Sequence, residues 1–317
     1  MALFAMELTH WFFILASLPL VSKVSALLRA LYHLYLRPAT SFASFRGDYA
    51  LVTGASRGIG RGYSLALARR GVNLILAASS PEPLEKLAEE CRALGVEARV
   101  LQVDFAPGGG FLLKKVQKQL EELVDLAKIS ILVNNLGGKP PDRTLPTAPI
   151  PMRCEDIDAE TYENYLAFNA HVGQALTSML LPIMVQRNKG YVLNVSSLNG
   201  NQVIPFLSAY CATKAYISSY SACLNAELRA RRRNVWVEAV CPGPVATESI
   251  GNPKPSAKVP DPVRFAEQSL RLARTPFAQV PWPRHWWSMQ YYGNGSMFVS
   301  DEVAQRRLRN TYFKMWG

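Results

Sequence analysis

The chain carries the stretch Ala50-Leu51-Val52-Thr53-Gly54-Ala55-Ser56-Arg57-Gly58-Ile59-Gly60, in which a glycine-rich turn follows a short apolar run. The next residues, Arg61 to Arg70, have the pattern of a helix, so the turn joins a strand to a helix. Glycine permits positive φ and close backbone approach, which lets amide groups and the helix N-terminus face a pyrophosphate. The stretch therefore predicts a dinucleotide site, with a plain β–α connection as the alternative.

The next two strands indicate which dinucleotide is bound. An NAD site usually carries an acidic residue about 20 residues after the glycines, but the strand from Val72 ends in Ala77-Ala78-Ser79. Arg57 can meet a 2′-phosphate, and Ser79 can donate a hydrogen bond to it, so the pattern predicts NADPH. Asp104 closes the strand Ala98 to Val103, where it can contact the adenine or can simply end the strand.

Tyr210 and Lys214 are four residues apart in a segment that can be helical. Residues i and i+4 share a helix face, so the ammonium can lie near the phenol. A nearby cation favours phenolate and is expected to lower the tyrosine pKa towards working pH, which suits a general acid or base. The pair on its own is weak evidence, because a chain of this composition contains such pairs by chance.

Ser197 strengthens the prediction, since it precedes Tyr210 by thirteen residues and follows the strand Tyr191 to Val195. Open α/β sheets place their ligand crevice at the carboxyl ends of the strands. The Ser197 hydroxyl is expected to bond a substrate oxygen beside the tyrosine, while Ser196 faces the other way in an extended chain. The residues together predict hydride transfer at a carbonyl or alcohol carbon.

Three further motifs follow the same order along the chain: Asn134-Asn135-Leu136-Gly137, Asn169 and Pro242-Gly243-Pro244-Val245-Ala246-Thr247. In the order of all these motifs, roughly residues 48 to 250 resemble the short-chain dehydrogenase/reductase family. The resemblance implies that Asn169 completes a proton relay with Lys214 through water, although Asn169 could equally be a helix residue satisfied by backbone. It also implies that 242–247 cradle the nicotinamide amide. Leu136 replaces the usual small alanine and is expected to crowd the cofactor floor slightly.

The predicted site has two parts. The catalytic residues are Asn169, Ser197, Tyr210 and Lys214. The cofactor contacts are Gly54, Ser56, Arg57, Gly58, Ile59, Gly60, Ser79, Asp104, Asn135, Tyr210, Lys214, Pro242, Gly243, Val245 and Thr247.

Strands and helices alternate through 317 residues, which predicts an α/β fold with a Rossmann-type doubly wound parallel sheet. We expect one domain over residues 38–300, a membrane anchor over 1–37 and a basic tail over 301–317. The five cysteines are scattered without a CxxC pair or metal spacing, so no metal is expected. The net charge of +11 suits an anionic membrane surface or substrate, and no nucleic-acid motif accompanies it.

The N-terminus, Met1 to Val21, is apolar and barely long enough to span a bilayer. An amphipathic helix carrying Lys23, Arg29 and Arg37 follows, and the positive charge predicts a catalytic domain on the cytosolic face. A cleaved signal peptide fits less well, because Lys and Arg are missing before the apolar run. A surface anchor without a span and a buried core helix are the alternatives.

Three further regions bear on the substrate. Gly138 to Met152 is a proline-rich loop. Glu248 to Pro260 is a second loop, which can close over the substrate as a lid. A helix is expected to follow it, starting at Asp261-Pro262 and running to about Arg274. An aromatic cluster between Trp282 and Phe298 can form an interface belt, line an apolar tunnel or pack under the sheet.

Leu36-Arg37-Pro38 and Pro281-Trp282-Pro283 make the layout similar to one branch of the family, the endoplasmic-reticulum very-long-chain 3-oxoacyl-CoA reductases and related 17-beta-hydroxysteroid dehydrogenases. This resemblance implies a reductase of long 3-oxoacyl-CoA in fatty acid elongation, and it allows a homodimer and association with other elongation enzymes. The final residues, Thr311 to Gly317, lack the lysine-rich tail common in that branch. Reduction of a steroid or sterol ketone and a non-enzymatic NADPH-binding scaffold are the alternatives.

Overall fold

The computed structural model describes residues 20–21, 23–105, 109–138, 153–275, 279–292, 302–303 and 306–307. The chain forms two compact units, Met1–Ala39 and Thr40–Gly317. The second unit holds the sheet and every predicted site residue.

The strands of the described residues form one parallel sheet of six, in the order β3-β2-β1-β4-β5-β6. This arrangement confirms the predicted doubly wound α/β fold. The strands are β1 (Tyr49–Thr53), β2 (Asn73–Ala78), β3 (Ala98–Gln102), β4 (Ile129–Asn134), β5 (Gly190–Val195) and β6 (Val235–Val240).

The helices of the second unit connect these strands. They are α1 (Gly58–Ala68), α2 (Pro81–Ala93), α3 (Gly109–Leu123), α4 (Ala159–Leu166), α5 (Val172–Gln186), α6 (Ser208–Ala230), α7 (Pro262–Arg271) and α8 (Pro283–Tyr292). A π-helical segment, Ala167–His171, joins α4 to α5, and short 3-10 turns span Leu198–Asn201 and Glu248–Ile250.

Each face of the sheet packs against its own layer of helices, because successive strand residues point to opposite faces. Ala50 and Val52 of β1 lie in one core layer with α1, α2 and α7. Leu51 lies in the other layer with residues of α3, α5 and α6. All five residues of β1 are buried, which explains why this strand reads as a continuous apolar run.

The strand order reverses between β1 and β4, and this switch point is where doubly wound sheets bind ligands. Beyond α7, Gln279 forms a parallel bridge with Val240 and extends the sheet past β6. Its backbone donates to Ala239 and accepts from Cys241, both at 2.7 Å.

In the first unit, 23–31 are helical and Tyr32–Leu36 form a π-helical turn. Val24, Leu28, Tyr32 and Tyr35 are exposed on this helix. Among the residues described, we find no helix with both the length and the apolarity that crossing a membrane requires. All but residues 20 and 21 of the predicted apolar span lie outside the described part of the chain.

Other expectations also fall on residues outside the described part. These are the proline-rich loop from residue 139 onward, the side chains of Tyr291 and Tyr292, Phe298, and most of the basic tail.

Candidate active site

The predicted site segments meet at one edge of the sheet. The glycine loop follows β1, Asn135 follows β4, Ser197 follows β5 and Pro242 follows β6. Parallel strands end at the same edge, so four segments distant in sequence line one crevice.

The glycine loop has left-handed backbone, which glycine adopts without strain. Gly54 and Gly58 have φ of +60° and +55°, and α1 begins at Gly58. A Cβ on Gly60 would lie 2.2 Å from the Gly54 carbonyl oxygen and 2.6 Å from Nδ2 of Asn135. The loop therefore presents bare backbone and a helix N-terminus to the crevice, with Ser56 and Ile59 half-buried between the glycines.

Asn135 braces this loop from the neighbouring strand. Its Nδ2 donates to the carbonyls of Thr53 and Gly54 at 3.1 and 3.2 Å. Its backbone N–H, like that of Leu136, donates to Thr53 Oγ1 at 3.0 Å. The Asn135 side chain is therefore used to shape the loop, and Thr53 is an organising residue that the sequence pattern missed.

Leu136, the residue expected to crowd the cofactor floor, is half-buried. It packs against the core layer on the α5 side of the sheet. It also lines a small internal cavity there with Ala170 and Gly173.

Arg57 is exposed and pairs with Glu248, with 2.6 Å between Nη1 and Oε2. Glu248 begins the loop predicted to act as a lid, so the ion pair joins that loop to the glycine loop. Ser79 and Asp104 are exposed just beyond the ends of β2 and β3. Both lie at the edge where an adenosine would bind.

Ser197 is buried and forms the N-cap of the turn Leu198–Asn201, where its Oγ accepts from Asn199 N–H at 3.2 Å. The Ser197 hydroxyl lies close enough to the Tyr210 phenol to lower the pKa of that tyrosine. Ser196 points away into α6, with its Oγ 2.7 Å from the Lys214 carbonyl oxygen that accepts from it. The structure thus brings together the predicted hydroxyl pair and excludes Ser196 from it.

The electrostatics of Tyr210 differ from the expectation. Burial raises the pKa of Tyr210 to about 12, and the neighbouring Ser197 hydroxyl only partly opposes this. The predicted lowering of this pKa was wrong, because burial of the phenol outweighs every other influence on it. The Lys214 Nζ donates to the Val195 carbonyl at 2.9 Å. That Nζ is 5.7 Å from the centre of the tyrosine ring. Tyr210 therefore stays protonated at neutral pH and is ready to donate a proton.

Lys214 is itself perturbed by its surroundings. Only 3% of the residue is exposed, and this burial lowers the pKa of its ammonium to about 8. Desolvation disfavours the charged form, so the amine can exchange its proton near neutral pH.

Asn169 lies in the π-helical segment, a departure from α-helix that often marks functional sites. Its Oδ1 accepts from Gly138 N–H at 2.7 Å, and its Nδ2 donates to the carbonyls of Gly138 and Tyr165. Its side chain is thus satisfied by backbone, as the alternative interpretation expected. It also faces Lys214, because a Cβ on Gly137 would lie 2.9 Å from both Asn169 Oδ1 and Lys214 Nζ. Gly137 keeps this gap open, and the sequence pattern did not assign it a role.

The loop 242–247 completes the crevice. The Pro242 carbonyl accepts from Leu198 N–H at 3.0 Å, which ties the loop to the turn after Ser197. Val245 is buried, and Thr247 Cγ2 lies 3.1 Å from where a Cβ of Gly58 would be. The loop predicted to cradle the nicotinamide therefore lies directly against the glycine loop.

Helix α7 packs onto α1 beside the glycine loop. Asp261 caps α7 by accepting from the N–H groups of Val263 and Arg264. The helix ends at Arg271, three residues earlier than expected. A Cβ on Gly62 would lie 2.4 Å from the Pro262 carbonyl oxygen, so Gly62 is a packing glycine that the sequence reading overlooked.

In the described part of the aromatic cluster, Trp286 packs against the protein and Trp287 is exposed. Trp286 is buried, and its ring meets Trp287 edge-on at 4.9 Å. Trp282 donates its indole N–H to the Ala257 carbonyl at 2.8 Å. That bond ties α8 to the loop Glu248–Pro260.

The family described as short chain dehydrogenase matches residues 48–256 of the chain. A very-long-chain 3-oxoacyl-CoA reductase of Mycosarcoma maydis is 31% identical over 296 residues, covering 85% of this chain and 81% of that protein. The protein of the same name in Homo sapiens is 33% identical over 228 residues, covering 71% of this chain and 68% of that protein.

Among solved structures, a short-chain dehydrogenase from Sphingobium yanoikuyae in complex with NADPH is 31% identical, with a TM-score of 0.59. The match covers 70% of this chain and 83% of that chain. The glycine loop, the Ser–Tyr–Lys set and the loop after β6 all lie within the matched region 48–256. The chain therefore belongs to the short-chain dehydrogenase family of oxidoreductases.

Proposed function

We propose that this protein is an NADPH-dependent reductase that converts the 3-oxo group of a very-long-chain acyl-CoA to a 3-hydroxy group. The observation that carries the proposal is the grouping of Tyr210 with a neighbouring Ser197 hydroxyl and a buried Lys214, whose Nζ lies 5.7 Å from the centre of the tyrosine ring. The names of the relatives support the acyl-CoA as substrate.

The residues of the site suit reduction. A reduced nicotinamide, when bound, supplies a hydride to the carbonyl carbon. Tyr210 donates its phenolic proton to the carbonyl oxygen, and Ser197 holds that oxygen by a hydrogen bond. Lys214 returns a proton towards Tyr210, with Asn169 ordering the relay. Because the pKa of Tyr210 is raised to about 12, the tyrosine begins the reaction as an acid.

The crevice fits a dinucleotide. A Cβ on Gly54 would lie 3.0 Å from Asn135 Nδ2, and a Cβ on Gly60 would meet that atom more closely still. These glycines leave backbone amides open to a pyrophosphate. Arg57 and Ser79 supply a cation and a hydroxyl at the adenosine end, with no acid at the end of β2. This chemistry favours the 2′-phosphate of NADPH over the free hydroxyl of NADH.

Activity on defined substrates tests the proposal. Detergent-solubilised protein is assayed for NADPH oxidation with a long 3-oxoacyl-CoA and, in parallel, with a panel of ketosteroids. We expect higher kcat/KM on the acyl-CoA. If only the steroids were reduced, the substrate would be a steroid rather than an acyl-CoA, and the protein would still be a reductase. NADPH binding without turnover of any ketone would favour a scaffold role.

We also propose that the first unit anchors the protein at the endoplasmic reticulum membrane, with the active site facing the cytosol. Exposed Val24, Leu28, Tyr32 and Tyr35 on one helix support membrane contact, and Arg29 is exposed on the same helix. Removal of residues 1–37 is expected to reduce membrane association.

Alkaline carbonate extraction tests whether the anchor spans the bilayer. Retention of full-length protein in the pellet is the expected result, and release into the supernatant would indicate surface binding. In sealed microsomes, protection of the catalytic domain from added protease would contradict the cytosolic orientation.

A further inference from the structure

His285 is a buried histidine far in sequence from every predicted site residue. It lies in the first turn of α8, and only 2% of it is exposed. Its Nδ1 accepts a hydrogen bond from the Gly243 N–H at 3.1 Å. A ring nitrogen that accepts carries no proton, so the ring is neutral with its proton on Nε2.

The other ring nitrogen faces two carbonyl groups. Nε2 is 3.0 Å from the Pro244 oxygen and 3.1 Å from the Lys258 oxygen. Both are acceptors, so the Nε2 proton is shared between them. One imidazole thus joins three segments: the loop 242–247, the loop Glu248–Pro260 and helix α8.

The ring of His285 packs so closely against Gly243 that no side chain fits at that position. A Cβ on Gly243 would lie 2.8 Å from His285 Cδ2 and 3.0 Å from Cγ. On its other side the ring tilts against Phe265, with 6.1 Å between ring centres. Burial lowers the pKa of His285, which keeps the ring in the neutral form that the hydrogen bonds require.

We infer that His285 is a positioning residue for the nicotinamide end of the cofactor. By holding the N–H of Gly243 and the carbonyl of Pro244, it sets the backbone of the loop 242–247. By bonding Lys258, it couples that loop to the loop Glu248–Pro260. The inference rests on the proposed function, since it assumes that this loop contacts the nicotinamide.

Two ligands separate this role from general stability. NADPH carries the nicotinamide, whereas adenosine 2′,5′-bisphosphate carries only the phosphorylated adenosine end. In His285→Phe, which keeps an aromatic ring but loses the three bonds, we expect Kd for NADPH to rise about 5- to 30-fold. Kd for adenosine 2′,5′-bisphosphate should stay within about 2-fold of the unmutated value. A shift of that size matches the loss of one or two net hydrogen bonds.

Two polar variants separate the hydrogen bond made by Nδ1 from those made by Nε2. They also keep the inference testable if the phenylalanine variant misfolds. His285→Asn can still accept from Gly243 through its amide oxygen, whereas His285→Gln places its amide nearer the Nε2 position. We expect His285→Asn to retain more NADPH affinity and a higher kcat than His285→Gln. The midpoint of thermal unfolding of each variant is measured alongside.

The outcomes are distinct. Selective loss of NADPH affinity with the expected order of the two polar variants supports the inference. Equal weakening of both ligands, no change for either, or a glutamine variant as good as the asparagine variant would overturn it. If the unmutated protein bound adenosine 2′,5′-bisphosphate but no NADPH, the proposed function itself would be contradicted, and so would the role of His285 that rests on it.

Discussion

Arg57 and Glu248 form an ion pair across the mouth of the crevice, with 2.6 Å between Nη1 and Oε2. The two residues are 191 positions apart and belong to the glycine loop and to the loop that follows Thr247. The guanidinium that would bind the 2′-phosphate is therefore bonded to a carboxylate, and the phosphate must displace it. Under the proposed function, Glu248 would therefore compete with the cofactor's 2′-phosphate for Arg57.

The first prediction concerns cofactor choice. Arg57→Ala should narrow the preference for NADPH over NADH by roughly 1.5–3 kcal/mol, the usual value for a charged hydrogen bond. Glu248→Gln should tighten NADPH by about 2- to 5-fold, since exposed ion pairs are weak. Both are read from kcat/KM and Kd for the two cofactors.

Matched controls make this prediction sharp. Arg61 and Glu90 form an equally short pair of 2.6 Å one turn further along α1, so Arg61→Ala should change cofactor preference far less. In the background of Arg57→Ala, the Glu248→Gln change should have little effect. Equal kcat/KM for NADPH and NADH in the unmutated protein would contradict the assignment of Arg57.

The second prediction concerns the proton donor. Tyr210→Phe removes the phenolic proton while keeping the ring, so kcat should fall by about 10² to 10⁴-fold. Kd for NADPH should remain largely unchanged, as measured by fluorescence titration. Near-normal turnover would show that another group protonates the substrate. Tyr216→Phe, on the same helix α6 but bonded to Gln174, serves as the control.

The third prediction is a pH dependence set by Lys214. The pKa of its ammonium is lowered to about 8, so the charged form is lost as pH rises through that value. Tyr210, with a pKa raised to about 12, stays protonated throughout. We therefore expect kcat/KM for NADPH, which reports the free enzyme, to fall above about pH 8 with a slope of one proton.

The variant Lys214→Arg tests whether Lys214 causes this fall in kcat/KM. Arginine stays charged across the range, so any remaining activity should persist to higher pH. If kcat/KM of the variant fell at the same pH, the titrating group would be one other than Lys214.

The fourth prediction concerns the gap between Asn169 and Lys214. In Gly137→Ala the new methyl would lie 2.9 Å from both polar atoms, and the residue would keep a φ of +154°. We expect kcat to fall by at least about 10²-fold, since small misplacements of catalytic groups have effects of that order. Gly138→Ala is the matched control, with φ of +125° and no atom within 4 Å of the new methyl. Similar losses in both variants would indicate backbone strain rather than a blocked relay.

The fifth prediction concerns the stability of the sheet edge. Glu238 in β6 is buried and accepts from Tyr191 Oη at 3.0 Å and Gln279 Nε2 at 3.1 Å. The N–H of Thr275 also donates to it. Glu238→Ala would leave these buried donors without their acceptor, so the free energy of unfolding should fall by about 3–5 kcal/mol.

Urea unfolding followed by circular dichroism measures that loss. Tyr191→Phe removes one donor but leaves the carboxylate and its other bonds, so it should have a clearly smaller effect. A loss below about 1 kcal/mol in Glu238→Ala would mean that the network is dispensable.

The local patterns of the sequence determined the architecture and most of the crevice. The apolar runs of the strands, the glycines after β1 and the capping residue Asp261 act over a few residues, so their consequences can be read directly. The meeting of Ser197 with Tyr210 could also be predicted, because parallel strands end at one edge.

Tertiary structure alone decided the features that depend on packing between distant segments. Gly243 and His285 are 42 residues apart, and no spacing rule connects them. Gly62 and Pro262 meet only because α7 packs onto α1.

The direction of the Tyr210 pKa has the same origin. The i,i+4 spacing predicted that Lys214 lowers the pKa of Tyr210, but burial of the phenol raises it instead. Sequence spacing sets which charges can approach one another along a helix. Desolvation depends on every atom packed around the group, and that is settled only when the chain has folded.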